Sequence, residues 1–248
     1  GLVARVSDPK DALRASLSGD MVEALTGFVD RAKTSGKIYA ALYELADVEL
    51  VASLVALKSR LHIVLANAPQ STKDKAGNVT TSDENAGARA QLAASGADKS
   101  DRIMAAKHIA HNKFLVYVDS KKKPQAVLFG STNWTMTGLC TQTNNTVVIE
   151  SPAVAKRYLD YWNKLQADTA AAAGVSKNLQ SQTLRTWDRT DAAFDLGQAG
   201  KLTSWFSPNT KSMTKPKGGK PVPVDLQDVF DRIAGANQGI LFLAFNPG

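Results

Sequence analysis

Cysteine is almost absent: Cys140 is the only one in 248 residues. An internal disulfide is thereby impossible, and a cysteine-built metal cluster is disfavoured. Histidine is scarce too, with His62, His108 and His111 as the full set. His108 and His111 stand three apart, which suits a metal only on a helix; in an extended segment they point to opposite faces. Neither a metal nor another cofactor is expected. Long hydrophobic runs are also missing, and no apolar stretch approaches the roughly 20 residues that span a bilayer. The chain opens GLVARVSDPK, without an initiator methionine or the apolar core of a signal peptide. That reads as a processed or excised start and leaves the compartment, secreted or cytoplasmic, open.

What is there is ordinary globular composition, 44% hydrophobic and 21% charged, enough for one large domain or two modest ones. The net charge of +7 and pI of about 9.4 suit phosphate-bearing partners, nucleic acid or an anionic lipid surface. Solvated lysines explain the same charge equally well. The run KKK at 121–123 precedes Pro124 and reads as a solvated hairpin turn.

Apolar residues at Met21, Val22, Leu25, Phe28, Val29 and Ala32 give helical spacing over 19–36. KIYAALYELAD follows as a strand-like run, VELVASLVALKSR (48–60) returns to helical spacing, and LHIVLANAP (61–69) is a second buried-type strand. Strand–helix–strand with short connections predicts a βαβ unit with parallel strands. The polar stretch 71–101 reads as a long loop with one short helix. Next come the strand HNKFLVYVD, a turn, the strand QAVLFGSTN, the strand TNNTVVIES and a helix over 152–168 with Pro152 in its first turn.

Near Lys201 the sequence restarts. LTSWFSPNT, a loop, and DLQDVFDRIAGANQGILFLAFNPG read as strand, loop, helix and strand. They parallel the beginning of the chain, with Phe28-Val29-Asp30-Arg31-Ala32 near Phe230-Asp231-Arg232-Ile233-Ala234. We therefore expect a first unit over 1–200 and, over 201–248, the truncated opening of a second.

The segment AKHIAHNKFLVYVD, at 106–119, and FGSTNWT, at 129–135, carry the chemistry. In an extended strand His111 and Lys113 share a face, as do Ser131 and Asn133 after the turn. If the two strands are hairpin partners, an imidazole, an ammonium, a hydroxyl and a carboxamide converge. Lys113 and Asn133 offer cationic and neutral donors to a phosphate, and an imidazole beside it can attack phosphorus or shuttle a proton. A strand end capped by His111 and Lys113, followed by a plain turn, is the alternative from these residues alone.

HNKFLVYVD followed by GSTNWT resembles the phospholipase D superfamily signature, H-x-K-x(4)-D followed by G-S-x-N. IYAALYELAD and the restart after Lys201 are also similar to two-lobed members. The resemblance implies an α/β fold, a phospholipase D-like α-β-α sandwich: a mixed sheet with parallel βαβ units and helices on both faces. It implies a phosphodiesterase that hydrolyses or transphosphatidylates phospholipids through a phosphohistidine intermediate. A metal-independent nuclease and a degenerate, non-catalytic phosphate- or nucleic-acid-binding module are the alternatives. His111 matches the motif histidine and is expected as nucleophile. Lys113 and Asn133 match the phosphate ligands, and Ser131 the serine that supports them. Cationic side chains then do the electrostatic work without a metal. Trp134 either lines the pocket or packs in the core. Asn144 and Asn145 extend the donor network, while Cys140 reads as a packed loop residue. Asn78 and Asn144 also fit glycosylation sequons, short patterns that recur by chance.

Two departures matter. The motif aspartate falls at Val118, with Asp119 one residue later; a bulged strand end could restore its role. The family also needs a second motif, yet no histidine follows His111. The expected partner is a C-terminal repeat beyond Gly248 or a second copy of the chain; the restart near Lys201 favours the repeat.

Overall fold

The computed structural model describes residues 1–67, 70–73, 79–105, 108–210 and 222–240. It divides into two compact units, Gly1–Leu179 and Gln180–Gly248.

The first unit begins with three helices, α1 (Leu2–Ser7), α2 (Ala12–Ser18) and α3 (Met21–Asp30). α3 follows the expected apolar spacing and buries Leu25, Phe28 and Val29. β1 (Lys37–Leu42), α4 (Val48–Val55) and β2 (Leu61–Asn67) form the βαβ unit, with β1 and β2 parallel. Asp47 starts α4 as its cap, its carboxylate accepting from the Glu49 and Leu50 amides. Asp47 is itself held by Arg14 in an ion pair at 2.8 Å, both side chains 2% exposed. Removing either partner would strand a buried charge.

Among its described residues, the stretch expected as a loop with one helix carries strands as well as the helix. It holds a hairpin of β3 (Gln70–Lys73) and β4 (Val79–Ser82), then α5 (Ala86–Ser95), then β5 (Asp98–Ile103). β5 pairs in parallel with β2 at the sheet edge. Its sequence DKSDRI has no strand-like alternation, and only Arg102 is buried. Backbone pairing and ion pairs fix it instead: Arg102 to Asp168 at 2.8 Å, and Asp101 to Arg89 and Lys99. Tertiary context here overrides propensity.

β6 (Lys113–Val118) and β7 (Pro124–Gly130) are antiparallel hairpin partners, followed by α6 (Met136–Cys140), β8 (Thr146–Ile149) and the long α7 (Pro152–Ala172). The six-stranded sheet runs β5-β2-β1-β6-β7-β8, parallel on the β5-β2-β1 side and antiparallel on the other. One face carries Ile38, Ala40, Leu42, Ile63, Leu65 and Leu115, packed with side chains of α3, α4 and α5. The other carries Tyr39, Phe114 and Phe129 against the α7 aromatics: Tyr39 to Trp162 at 4.9 Å, Phe114 and Phe129 to Tyr158 at 5.3 and 5.0 Å. Helices therefore cover both faces of a mixed sheet, as expected.

The second unit contains α8 (Gln182–Asp188), the hairpin β9 (Ala192–Asp195) and β10 (Lys201–Ser204), and α9 (Val224–Ala234). β10 and α9 match the strand and helix read after Lys201. The final strand expected beyond Ile240 and the sequon at Asn78 lie outside the described residues. Among the described residues, no helix is long and apolar enough to cross a membrane.

Candidate functional site

β1 and β2 point their carboxyl ends toward the same sheet end at which β6 begins, and parallel α/β sheets place sites at that end. Lys113 opens β6 opposite Leu42. Because Leu115 shares its face and packs in the helix-covered core, the Lys113 side chain starts from the same side. It is 8% exposed. Its ammonium donates to the His111 carbonyl at 3.3 Å and lies 5.2 Å from the centre of the Tyr43 ring.

His111 itself is not in the strand, contrary to the alternation argument; β6 starts two residues later. The pair still meets, because both side chains contact the same ring. The His111 imidazole packs edge-on against Tyr43 with centroids 4.6 Å apart. By area His111 is exposed, yet surrounding protein atoms and then the Lys113 charge disfavour imidazolium, pushing its pKa down to about 4. The open edge of the ring limits that desolvation, but both causes act in the same direction. Burial lowers Lys113 to about 8, opposed by the nearby Glu44 carboxylate. At neutral pH the pair is a neutral imidazole beside an ammonium.

The turn residues leave β7 at the same sheet end, one step beyond the Phe114–Phe129 pairing. Ser131 is exposed; its hydroxyl donates to Asn144 Oδ1 at 3.0 Å and accepts from the Asn145 amide at 3.0 Å. Asn145 thus joins through its backbone, and its side chain is in an exposed residue. Asn133 Oδ1 is buried and has no hydrogen-bond partner among the described residues. Such an orphaned polar atom is uncommon outside strained or functional positions.

Two expected residues sit elsewhere. Asp119 lies beyond the opposite end of β6, about 20 Å away at about 3.3 Å per residue. Its carboxylate accepts from the Lys121 and Lys123 amides at 2.9 and 2.8 Å, holding the KKK turn. The strand end does carry a register shift between Tyr117 and Val118, but this leaves Asp119 in the turn. Trp134 is 1% exposed and packs in the core, which rules out lining a pocket. Its backbone matters more: the carbonyl accepts from the Ala46 and Asp47 amides at 2.9 and 3.0 Å, and its amide donates to the Glu44 carbonyl at 3.2 Å. Cys140 is buried at the end of α6, where burial pushes its thiol pKa up.

Tyr43 and Glu44 are the residues that the motif reading missed. Their one sequence signal is position, directly after the first strand of the βαβ unit.

The family model for the cardiolipin synthase, PLD-like domain matches residues 26–166, more than half of the chain. The chain belongs to the phospholipase D superfamily. Its mixed sheet with helices on both faces is the phospholipase D-like fold, and superfamily members are phosphodiesterases. Among solved structures, the phospholipase D family member Nuc from Salmonella typhimurium is 24% identical with a TM-score of 0.44, covering 59% of this chain and 86% of that one. NucT from Helicobacter pylori is 12% identical with a TM-score of 0.42, covering 61% and 90%. At such scores these likenesses carry no part of the assignment. No curated protein matches the chain.

Proposed function

We propose that this phospholipase D-like chain cleaves phospholipid phosphodiesters through a phosphohistidine on His111. The observation that carries the reading is the pairing on Tyr43 of a neutral imidazole with a buried ammonium, since a nucleophile needs its lone pair and a phosphate needs a cation. A ring nitrogen of His111 forms a bond to phosphorus while the bond to the leaving alcohol oxygen breaks. Lys113, with Asn133, stabilises the phosphoryl oxygens, and Ser131 fixes the turn that presents Asn133. Water or another alcohol then attacks phosphorus, releases the imidazole and gives hydrolysis or transphosphatidylation.

The leaving alkoxide needs a proton, and a second motif is the proposed source. We assign it to a further repeat or to a second copy of the chain, with residues 1–200 as the first repeat. Support comes from α9, whose Leu226, Val229, Phe230 and Ile233 are exposed, while α3 buries Leu25, Phe28 and Val29. Phospholipid is favoured as substrate because the matching domain is described as that of a cardiolipin synthase. The basic pI of about 9.4 supports the second reading, a nuclease.

Bis(p-nitrophenyl) phosphate tests the chemistry, because its leaving group departs without protonation. One p-nitrophenolate per chain should appear in a burst, with a phosphoryl adduct on His111 after denaturation at alkaline pH, where the phosphorus–nitrogen bond survives. No burst and no adduct would sink the nucleophile role. Competition then separates the substrates: phosphatidylcholine vesicles should suppress the burst. Suppression by DNA alone, with steep salt dependence, selects the nuclease.

A further inference from the structure

We propose that the Tyr43 ring is the shared seat of His111 and Lys113, a positioning residue that fixes imidazole and ammonium relative to each other for one phosphate. The proposal rests on His111 as nucleophile and Lys113 as phosphate ligand of the proposed reaction.

The need for such a seat comes from His111. It lies outside β6, on the approach to the strand, and neither ring nitrogen has a hydrogen bond among the described residues. A reacting imidazole is ordinarily oriented through its second nitrogen. Here the ring packs instead on Tyr43, with centroids 4.6 Å apart and planes at 69°. In such edge-to-face packing the positive edge of one ring meets the negative face of the other. The Lys113 ammonium lies 5.2 Å from the centre of the same Tyr43 ring, within reach of a cation–π contact. Its bond to the His111 carbonyl at 3.3 Å closes a triangle of the three residues.

A seat is useful only if it is itself fixed. Tyr43 is 9% exposed and belongs to a buried apolar cluster with Ala66, Met104, Ala110, Ala172 and Leu179. Ala110 directly precedes His111, so the same cluster holds the approach to the imidazole. The Tyr43 backbone is held by the buried Asn85. Asn85 stands at the N-cap position of α5, where a carboxamide ordinarily accepts from a helix amide, yet it makes no capping bond. Its side chain goes to three other backbone groups. It donates to the Tyr43 carbonyl at 2.8 Å and the Ala66 carbonyl at 2.6 Å, and it accepts from the Leu45 amide at 2.8 Å. Both of its amide protons are thereby used. From the other side the Trp134 amide donates to the Glu44 carbonyl at 3.2 Å. The Tyr43 segment is thus tied to β2, to α5 and to the turn that carries Asn133. Groups on so fixed a support meet a ligand with little reorganisation.

Tyr43→Met removes the ring and leaves an apolar side chain of adaptable shape, while Tyr43→Phe keeps the ring without its hydroxyl. Glu44 and Glu84, the carboxylates that act on the Tyr43 phenol, stay in place in both. In folded Tyr43→Met the rate constant of the bis(p-nitrophenyl) phosphate burst should fall on the order of 100-fold, the effect of misplacing reacting groups by about 1 Å. Its His111 imidazole, followed by NMR and identified by its loss in His111→Gln, should titrate nearer the ordinary 6.5 than the wild-type value of about 4. Tyr43→Phe should recover both properties. An unmoved His111 titration in folded Tyr43→Met overturns the proposal, and so does a Tyr43→Phe that behaves like Tyr43→Met. Should Tyr43→Met not fold, Tyr43→pentafluorophenylalanine keeps the ring's shape but removes the attraction of its face for a cation. Lys113 should then titrate below the wild-type value of about 8, and an unchanged Lys113 overturns the proposal. These titrations need no substrate. A wild type without a burst, whose His111 still responds to loss of the ring, supports the seat and counts against the proposed function.

Discussion

The Lys113 ammonium donates to the His111 carbonyl at 3.3 Å, so the two motif residues are tied to each other as well as to the Tyr43 ring. A displacement of either therefore moves the other. It also places the nucleophile candidate beside a charge that adds to burial in keeping the imidazole unprotonated.

The first prediction is a pH window. His111 is neutral above about 4, and Lys113 is charged below about 8. Binding of a simple diester anion such as dimethyl phosphate should be lost as pH rises through about 8. The burst with bis(p-nitrophenyl) phosphate should decline both there and below about 4. A burst that keeps its full size at pH 10 would contradict the role given to Lys113.

Lys113 should also make the chain less stable at neutral pH than a neutral residue of similar length would. Its folded pKa of about 8 lies below the ordinary 10.5, so the native state resists carrying the proton that the unfolded chain keeps. Stability therefore rises as pH climbs from about 8 toward 10.5 and is lowest with respect to this group below that range. Lys113→Met should stabilise at pH 7 by up to about 3 kcal/mol, while abolishing diester binding. The gap between variant and wild type should narrow by pH 10 in denaturant melts.

Much of this was legible in the sequence, for stated reasons. The 3.6-residue spacing of Leu25, Phe28 and Val29 and the continuous apolar runs of β1 and β2 disclose the βαβ unit, because burial on one stripe or both faces leaves a periodic mark. The Lys113 and Asn133 motifs came through as short spacings. β5 did not, since a charged edge strand is held by its neighbour and by ion pairs rather than by its own pattern. Tyr43 was hidden for a related reason: its contact with Lys113 depends on the register between β1 and β6. Trp134 was ambiguous as a letter, and only its burial decides for the core.

Asp119 gives a prediction that separates motif position from site position. Asp119→Ala should lose the two turn amides it accepts and cost about 1–2 kcal/mol of stability. Diester binding by the folded variant should match the wild type, because the turn lies at the far end of β6. A variant that melts normally yet binds no diester would return Asp119 to the site.

The last prediction concerns how tightly the Asn133 turn is built. Gly138, in α6, approaches the Asn133 backbone so closely that a Cβ would lie 2.2 Å from its carbonyl oxygen. Real Cβ atoms do not come so near, and the obstacle is backbone, which cannot swing aside as a flexible side-chain end does. Gly138 also accepts from the Asn144 side-chain amide at 2.8 Å, and Asn144 in turn accepts from Ser131. A shift at Gly138 is thus passed to Asn133 directly and to Ser131 through one side chain. Gly138→Ala should cost about 1–3 kcal/mol through overpacking and weaken diester binding in the protein that still folds. Gly27→Ala is the matched control: it lies within α3, with nothing within 4 Å of the added carbon. It should raise stability by about 0.5–1 kcal/mol and leave binding unchanged. Thermal melts and a phosphate titration of the two variants decide the matter. Equal binding by both would show that Asn133 tolerates displacement and does not hold the phosphate.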